Sequence, residues 1–207
     1  SNGFLWPLLH TLPQTTVPPS LAGRRMSQPH VHPCQPGTRR DTAWGAYVQV
    51  NRLFAAAVAE QLQHIGRESW PSTLVWFHDY HLFLAPQYLR EHLTAAVAAA
   101  EQVPCIAFFL HVPFPPPEVF RMLPTHKQLL CGLLSCDLVG LHTHEFSSAL
   151  LSCVQVLCGF PVTLNKVTVQ QPLAARRSSV PARDPPLTQT QTQRVVTVGT
   201  FPLGINS

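Results

Sequence analysis

Charge is scarce in this chain. Asp, Glu, Lys and Arg supply 12% of its 207 residues, about half the share usual in soluble domains. The formal net charge is +4, yet the basic residues are scattered. Their adjacent pairs, Arg24–Arg25, Arg39–Arg40 and Arg176–Arg177, fall in Pro-rich stretches and read as solvated loop charges. A nucleic-acid surface needs a clustered basic patch on a folded face, and none is visible. Long hydrophobic runs are also missing. The longest uncharged run, Phe146–Asn165, is broken by Gly159 and Pro161 and makes a poor membrane span. No basic segment precedes an apolar core at the amino end, so no secretory leader is read there. The chain opens SNGFLWPLLH without an initiator Met and reads as a fragment.

Several chemical signatures are absent as well. There is no C-x-x-C among the six cysteines, 34, 105, 131, 136, 153 and 158. The pairs Cys131/Cys136 and Cys153/Cys158 are five apart, which on a helix turns them to different sides. Buried free thiols in a reducing compartment are expected, rather than a disulfide framework. Phosphate-loop, nucleophile-elbow, kinase and H-E-x-x-H patterns do not occur.

What is present is an apolar core, 45% of the chain, arranged in strands alternating with helices. Trp44, Tyr47, Val48, Phe54, Val58 and Leu62 recur at helical spacing and predict a long amphipathic helix over Thr42–Arg67. STLVWFHD (72–79) reads as a strand, and HLFLAPQYLREHL (81–93) as a helix that TAAVAAAEQ extends. Ile106–Leu110 is the next strand. Thr125 and Gln128 fit a capping box for a helix through Cys136. DLVGLHT (137–143) is a third strand. Thr143 caps a helix from His144 to Cys158, which Gly159 terminates. RVVTVGTFP (194–202) is a fourth strand. Such alternation implies parallel βα units and a doubly wound α/β sheet. Two segments, about 11–41 and about 171–193, are rich in Pro, Ser, Thr, Gln and Arg and read as a low-order insert and a low-order loop.

Two places concentrate chemistry. In CIAFFLHVPFPPPEVFRML (105–123), His111 ends an apolar strand. Pro113, Pro115, Pro116 and Pro117 then forbid both strand pairing and an immediate helix. A titratable side chain is thereby held at the carboxyl end of a strand, where open α/β sheets bind ligands. The bland alternative is a core histidine. In FHDYHLFLAP (77–86), Asp79 follows a strand directly. A carboxylate there accepts hydrogen bonds from sugar hydroxyls, or it serves as a helix N-cap. His78, Asp79 and His81, with His30/His32 and His142/His144, also raise a metal site, though ligand spacing is lacking. Trp6 follows the Asn2–Gly3 turn signal and is either packing or an aromatic sugar platform.

The blocks SNGFLWPLLH, WGAYVQVNRLFAAAVAE, VWFHDYHLFLAPQYLR, FFLHVPFPPPEVFRMLP, LLCGLLSCDLVGLHTHEF and FPLGIN together resemble the trehalose-6-phosphate synthases, glycosyltransferase family 20. The resemblance implies an α/β fold. It is the Rossmann-like, acceptor-side N-terminal domain of a GT-B glycosyltransferase, incomplete here and without the C-terminal donor domain. It implies retaining transfer of glucose from UDP-glucose to glucose 6-phosphate, giving α,α-trehalose 6-phosphate and UDP, with no cofactor and no obligatory metal. Carried over by motif, Asp79 is the acceptor-sugar ligand and His111 faces the transferred glucose. Trp6 and Val112 shape the acceptor site and its preference for the α anomer. Asn206 stands where the family usually has Asp. A cytoplasmic protein is implied, partnered by no nucleic acid or membrane, alone as a homo-oligomer or within a synthase/phosphatase complex. The fragment by itself is expected to be inactive. The competing function is a non-catalytic, synthase-like module that binds sugar phosphate or regulates a partner. A metal hydrolase built on His78, Asp79 and His81 is a third reading.

Overall fold

The computed structural model describes residues 38–96, 103–171, 192–202 and 204. Trp6, Asn206, the His30/His32 pair, and most of the 11–41 and 171–193 segments lie outside these residues.

Helix α1 runs Thr38–Ile65, so it starts earlier than the apolar period suggested. Arg39–Arg40 therefore sits in its first turn rather than in a loop. Its inward stripe is Tyr47, Asn51, Ala55, Ala59 and Leu62, all buried, with Trp44, Val48 and Val58 packed beside them. Phe54, expected inward, is 51% exposed. Asn51 and Ala55 hold the inward positions on either side of it in sequence.

Strand β1, Leu74–His78, leads through Asp79 and a tight turn into α2, Ala85–Ala96. Pro86 falls in the first turn of α2, where a missing N–H costs nothing. Strand β2, Cys105–Phe109, is followed by a one-turn helix α3, Pro117–Phe120. Sequence reading placed no helix directly after the prolines. The structure corrects this: Pro117 opens α3 because its fixed φ suits a first helical position. Helix α4 spans His126–Leu133. Thr125 stands at its N-cap but its side chain makes no capping bond, and its hydroxyl oxygen is buried without a partner. The capping box is thus not formed. Strand β3, Leu138–Leu141, leads into α5, His144–Cys153. Here the expected cap is made, the Thr143 hydroxyl accepting from Phe146 N–H at 3.2 Å. A wide π-type turn, Val154–Cys158, follows and ends at Gly159, whose φ of 72° is the expected left-handed stop.

The last part of the chain departs from simple alternation. Strands β4, Val162–Thr163, and β5, Lys166–Gln171, precede β6, Thr192–Thr200. The sheet order is β1-β2-β3-β6-β5-β4. Strands β1, β2, β3 and β6 are parallel, as expected. Strands β5 and β4 pair antiparallel beyond β6, so the sheet is mixed. Along β5, Val167 and Val169 are buried and Lys166 is exposed, the alternation of a strand with one covered face. Ile106, Phe108, Val139, Leu141, Val196 and Val198 form the sheet's share of the core.

Candidate functional site

The parallel register brings the carboxyl ends of the strands level. His78 pairs with Phe109 across β1 and β2, Phe109 with Gly140 across β2 and β3, and Gly140 with Gly199 across β3 and β6. The chain leaves each strand at this edge through a hydrogen bond to its neighbour. Asp79 N–H donates to the Phe109 carbonyl at 2.9 Å, Leu110 N–H to Gly140 at 3.0 Å, and Phe201 N–H to Leu141 at 2.8 Å. Gly140 and Gly199 make room for rings. A Cβ on Gly140 would meet the Phe109 ring at 2.7 Å, and one on Gly199 the Phe201 ring at 2.5 Å.

Three histidines gather around Phe109. The His111 ring lies 4.8 Å from it and the His142 ring 4.9 Å. His111 and His142 are 5.6 Å apart in an edge-on arrangement. His78 stacks on His111 at 5.3 Å with 24° between planes. Its Nδ1 is 3.0 Å from His111 Nε2. A hydrogen bond at that distance needs one nitrogen to carry a proton and the other a lone pair. Engaging Nε2 fixes the His111 ring and leaves Nδ1 as the nitrogen for a ligand. His111 is exposed, so the core-histidine alternative is excluded. Its neighbour Val112 is buried in the hydrophobic core, directly behind the site.

Asp79 stands at the mouth of the same edge. Its φ of 66° and ψ of 164° lie in a region that is essentially reserved for glycine. The side chain makes no capping bond to the turn that follows, which removes the N-cap reading. Its Oδ1 is buried and has no hydrogen-bond partner, as is His142 Nδ1. Buried polar atoms without partners are uncommon in folded proteins. Two of them, at the ends of β1 and β3 on either side of the β2 end that carries the exposed His111, mark this edge as the place where a polyhydroxyl ligand could supply the missing hydrogen bonds.

The loop carrying Asp79 is gripped from α1. Tyr47 Oη donates to the Tyr80 carbonyl at 2.7 Å and accepts from Phe83 N–H at 3.2 Å. Burial pushes the Tyr47 phenol well above its ordinary pKa, so it keeps the proton it donates. Asn51 Oδ1 accepts from Leu84 and Ala85 N–H at 3.1 and 2.9 Å, and Asn51 Nδ2 donates to His81 O at 3.0 Å. Asn51 thereby caps α2 from another helix. Sequence reading assigned Tyr47 only to a packing stripe and passed over Asn51. The available signal was a polar residue in the middle of that stripe.

Of the metal candidates, His81 lies against the Tyr80 ring, 4.0 Å between centroids. Among the described residues, no group of three His, Cys, Asp or Glu side chains is arranged to hold a metal ion. No helix among them is long and apolar enough to cross a membrane.

The family model for glycosyltransferase family 20 matches residues 1–207. The chain belongs to glycosyltransferase family 20. An α,α-trehalose-phosphate synthase (UDP-forming) of Emericella nidulans is 35% identical over 206 residues, covering 100% of this chain and 30% of its own length. A solved trehalose-6-phosphate enzyme structure from E. coli, bound with UDP-2-fluoro glucose, is 27% identical with a TM-score of 0.56. It covers 100% of this chain and 33% of that one. The N-terminal domain of Candida albicans trehalose-6-phosphate phosphatase is also 27% identical, with a TM-score of 0.59 over 97% of this chain and 31% of that one. The chain thus spans about a third of the length of these relatives. The Rossmann-like part of a GT-B fold accounts for the parallel strands, and open α/β sheets of this kind bind ligands at the carboxyl ends of their strands.

Proposed function

We propose that the protein carrying this chain transfers glucose from UDP-glucose to glucose 6-phosphate, with retention, to give α,α-trehalose 6-phosphate and UDP. The observation that carries the proposal is the juxtaposition of the unpartnered Asp79 carboxylate with the His78–His111 pair at one sheet edge. Asp79 accepts hydrogen bonds from acceptor-sugar hydroxyls, and the free Oδ1 fits that role. His111 faces the transferred glucose, its ring held by His78. Val112 backs the acceptor site and Trp6 contributes an aromatic wall, together favouring the α anomer. Retaining transfer builds positive charge on the sugar ring and negative charge on the departing diphosphate. A fixed imidazole and carboxylate lower the barrier by holding the acceptor hydroxyl against the anomeric carbon. The free thiols at the described cysteines fit a cytosolic setting. The test is to supply the full-length protein with UDP-glucose and glucose 6-phosphate and follow UDP and disaccharide phosphate together. Equal release of both supports the reading, and UDP release without disaccharide overturns it.

A second reading rests on the likeness to the N-terminal domain of a phosphatase. In it the chain is a synthase-like module that binds sugar phosphate or a synthase/phosphatase partner without turnover. Saturable binding of glucose 6-phosphate with no product from UDP-glucose would favour it.

A further inference from the structure

His142 is the first residue beyond β3, and the backbone on both sides of it is fixed. The Gly140 carbonyl accepts from Leu110 N–H at 3.0 Å, and the Leu141 carbonyl from Phe201 N–H at 2.8 Å. On the other flank the Thr143 hydroxyl caps α5, and the Thr143 carbonyl accepts from Ser147 N–H at 3.1 Å. The ring packs edge-on against Phe109 at 4.9 Å and His111 at 5.6 Å. The residue is half-buried. Its Nδ1 is buried without a partner, and Nε2 is the nitrogen on the ring's open side. Burial selects the tautomer. Orphaned buried N–H groups are rarer than under-satisfied acceptors, so the neutral ring keeps the lone pair on Nδ1 and the proton on Nε2. His142 thus presents an N–H donor at the carboxyl ends of the strands.

We propose that His142 is a further substrate-binding residue, its Nε2–H donating to a hydroxyl of the glucose carried by UDP-glucose. This rests on the transferase reading and adds a contact to it. Asp79, His111 and His142 follow β1, β2 and β3, which are neighbours in the sheet at a spacing of roughly 4.8 Å. His111 is therefore central, with Asp79 to one side and His142 to the other. With Asp79 on the acceptor sugar and the transferred glucose before His111, His142 falls on the donor side. An imidazole N–H binds a hydroxyl oxygen there without adding a fixed positive charge beside a sugar ring that turns cationic in the transition state.

The experiment titrates UDP-glucose and, separately, UDP into the full-length protein by calorimetry, for the wild type and three variants. His142→Phe keeps the ring contact with Phe109 and removes the buried orphan nitrogen, so it should melt no lower than the wild type. It should nevertheless bind UDP-glucose roughly 3- to 10-fold more weakly, the loss of one hydrogen bond, and bind UDP unchanged. His142→Asn, whose amide stops at the level of Nδ1, should behave as Phe does, so the result does not hang on one variant. His142→Gln, whose amide reaches the level of Nε2, should restore binding. In turnover, KM for UDP-glucose should follow the same order while KM for glucose 6-phosphate stays put. Wild-type affinity for UDP-glucose in both the Phe and Asn variants, or an equal loss with UDP alone, would overturn the proposal. A wild type that binds UDP-glucose yet forms no disaccharide phosphate would overturn the transferase reading, and the binding comparison would still decide for or against His142. A wild type that does not bind UDP-glucose would overturn both.

Discussion

At Asp79 the fold holds a residue in a backbone conformation it resists. Residues held in such regions cost on the order of 1–3 kcal/mol and persist where the surroundings over-determine them. At Asp79 the buried, unpartnered Oδ1 adds to that cost, so the rest of the fold must hold both. The two roles separate by mutation. Asp79→Asn keeps the backbone and removes the charge, so folding should be unchanged. Loss of a hydrogen bond to a charged group costs about 1.5–3 kcal/mol, or roughly 10- to 150-fold in turnover with glucose 6-phosphate. Asp79→Gly should lose at least as much activity and yet melt higher. Relief of the strained φ exceeds the extra unfolded-state entropy of glycine by about 1 kcal/mol, a rise of roughly 2–4 °C in a domain of this size. Kinetics of the Asn variant at wild-type level would remove Asp79 from the acceptor site, and a lower Tm for the Gly variant would remove the strain argument. None of this strain is legible in the sequence, where Asp after a strand reads equally well as a cap.

Element by element, the sequence is informative where periodicity is long and silent where a contact is remote. Strands β1, β2, β3 and β6 and helix α5 with its Thr143 cap and Gly159 stop follow from local patterns. Strand β5 was passed over even though Val167 and Val169 alternate with polar residues, because only a short run separates Gly159 from the Pro- and Gln-rich segment. The His78–His111 contact was hidden for another reason: it depends on the register of two strands 33 positions apart. Helix α1 shows both limits. Its length was evident, but its inward face was misplaced at Phe54, because Asn51 occupies the core for hydrogen bonding rather than for hydrophobicity. Asn51→Ala should strand the Leu84 and Ala85 N–H groups and the His81 carbonyl, costing roughly 2–4 kcal/mol at about 1–3 per buried unsatisfied group. Phe54→Ala, on the exposed side, should stay within about 0.5 kcal/mol. Denaturant melts of the two variants decide the matter; equal losses would mean that Asn51 is not the clamp.

Across the described sheet, the Arg90–Asp137–Arg194 charges and the Asp79–His111 edge lie at opposite ends. Arg90 donates to Asp137 Oδ1 at 2.6 Å, and Asp137 Oδ2 accepts from Ile106 N–H at 2.8 Å. The Arg194 guanidinium donates to the carbonyls of Leu134 and Cys136, 3.9 Å from Asp137. Burial lowers Arg194 to about 10, which leaves it charged at neutral pH. The Asp137 cluster sits at the amino ends of β2 and β3, roughly 13–17 Å along strands of four or five residues from the end that carries Asp79 and His111, and Arg194 lies roughly 20 Å before the end of the longer β6. Arg52 lies over the Tyr88 ring at 4.8 Å and Arg67 over Trp70 at 5.7 Å. The described arginines that hold carbonyls, a carboxylate or rings are therefore not placed to clamp a departing diphosphate, and electrostatic stabilisation of such charge is usually the largest catalytic contribution. With the chain spanning 30% of its Emericella nidulans relative, residues 1–207 expressed alone should form no disaccharide phosphate from UDP-glucose and glucose 6-phosphate. Strand β1 ends the described sheet with Leu74 and Trp76 more than half exposed, and an apolar sheet edge of that kind pairs readily with other chains. The isolated segment should accordingly self-associate on sizing columns, and Trp76→Lys should reduce that association. Turnover by residues 1–207 at the rate of the full-length protein would show that the donor phosphates are held within this segment after all, by groups other than Arg90 and Arg194.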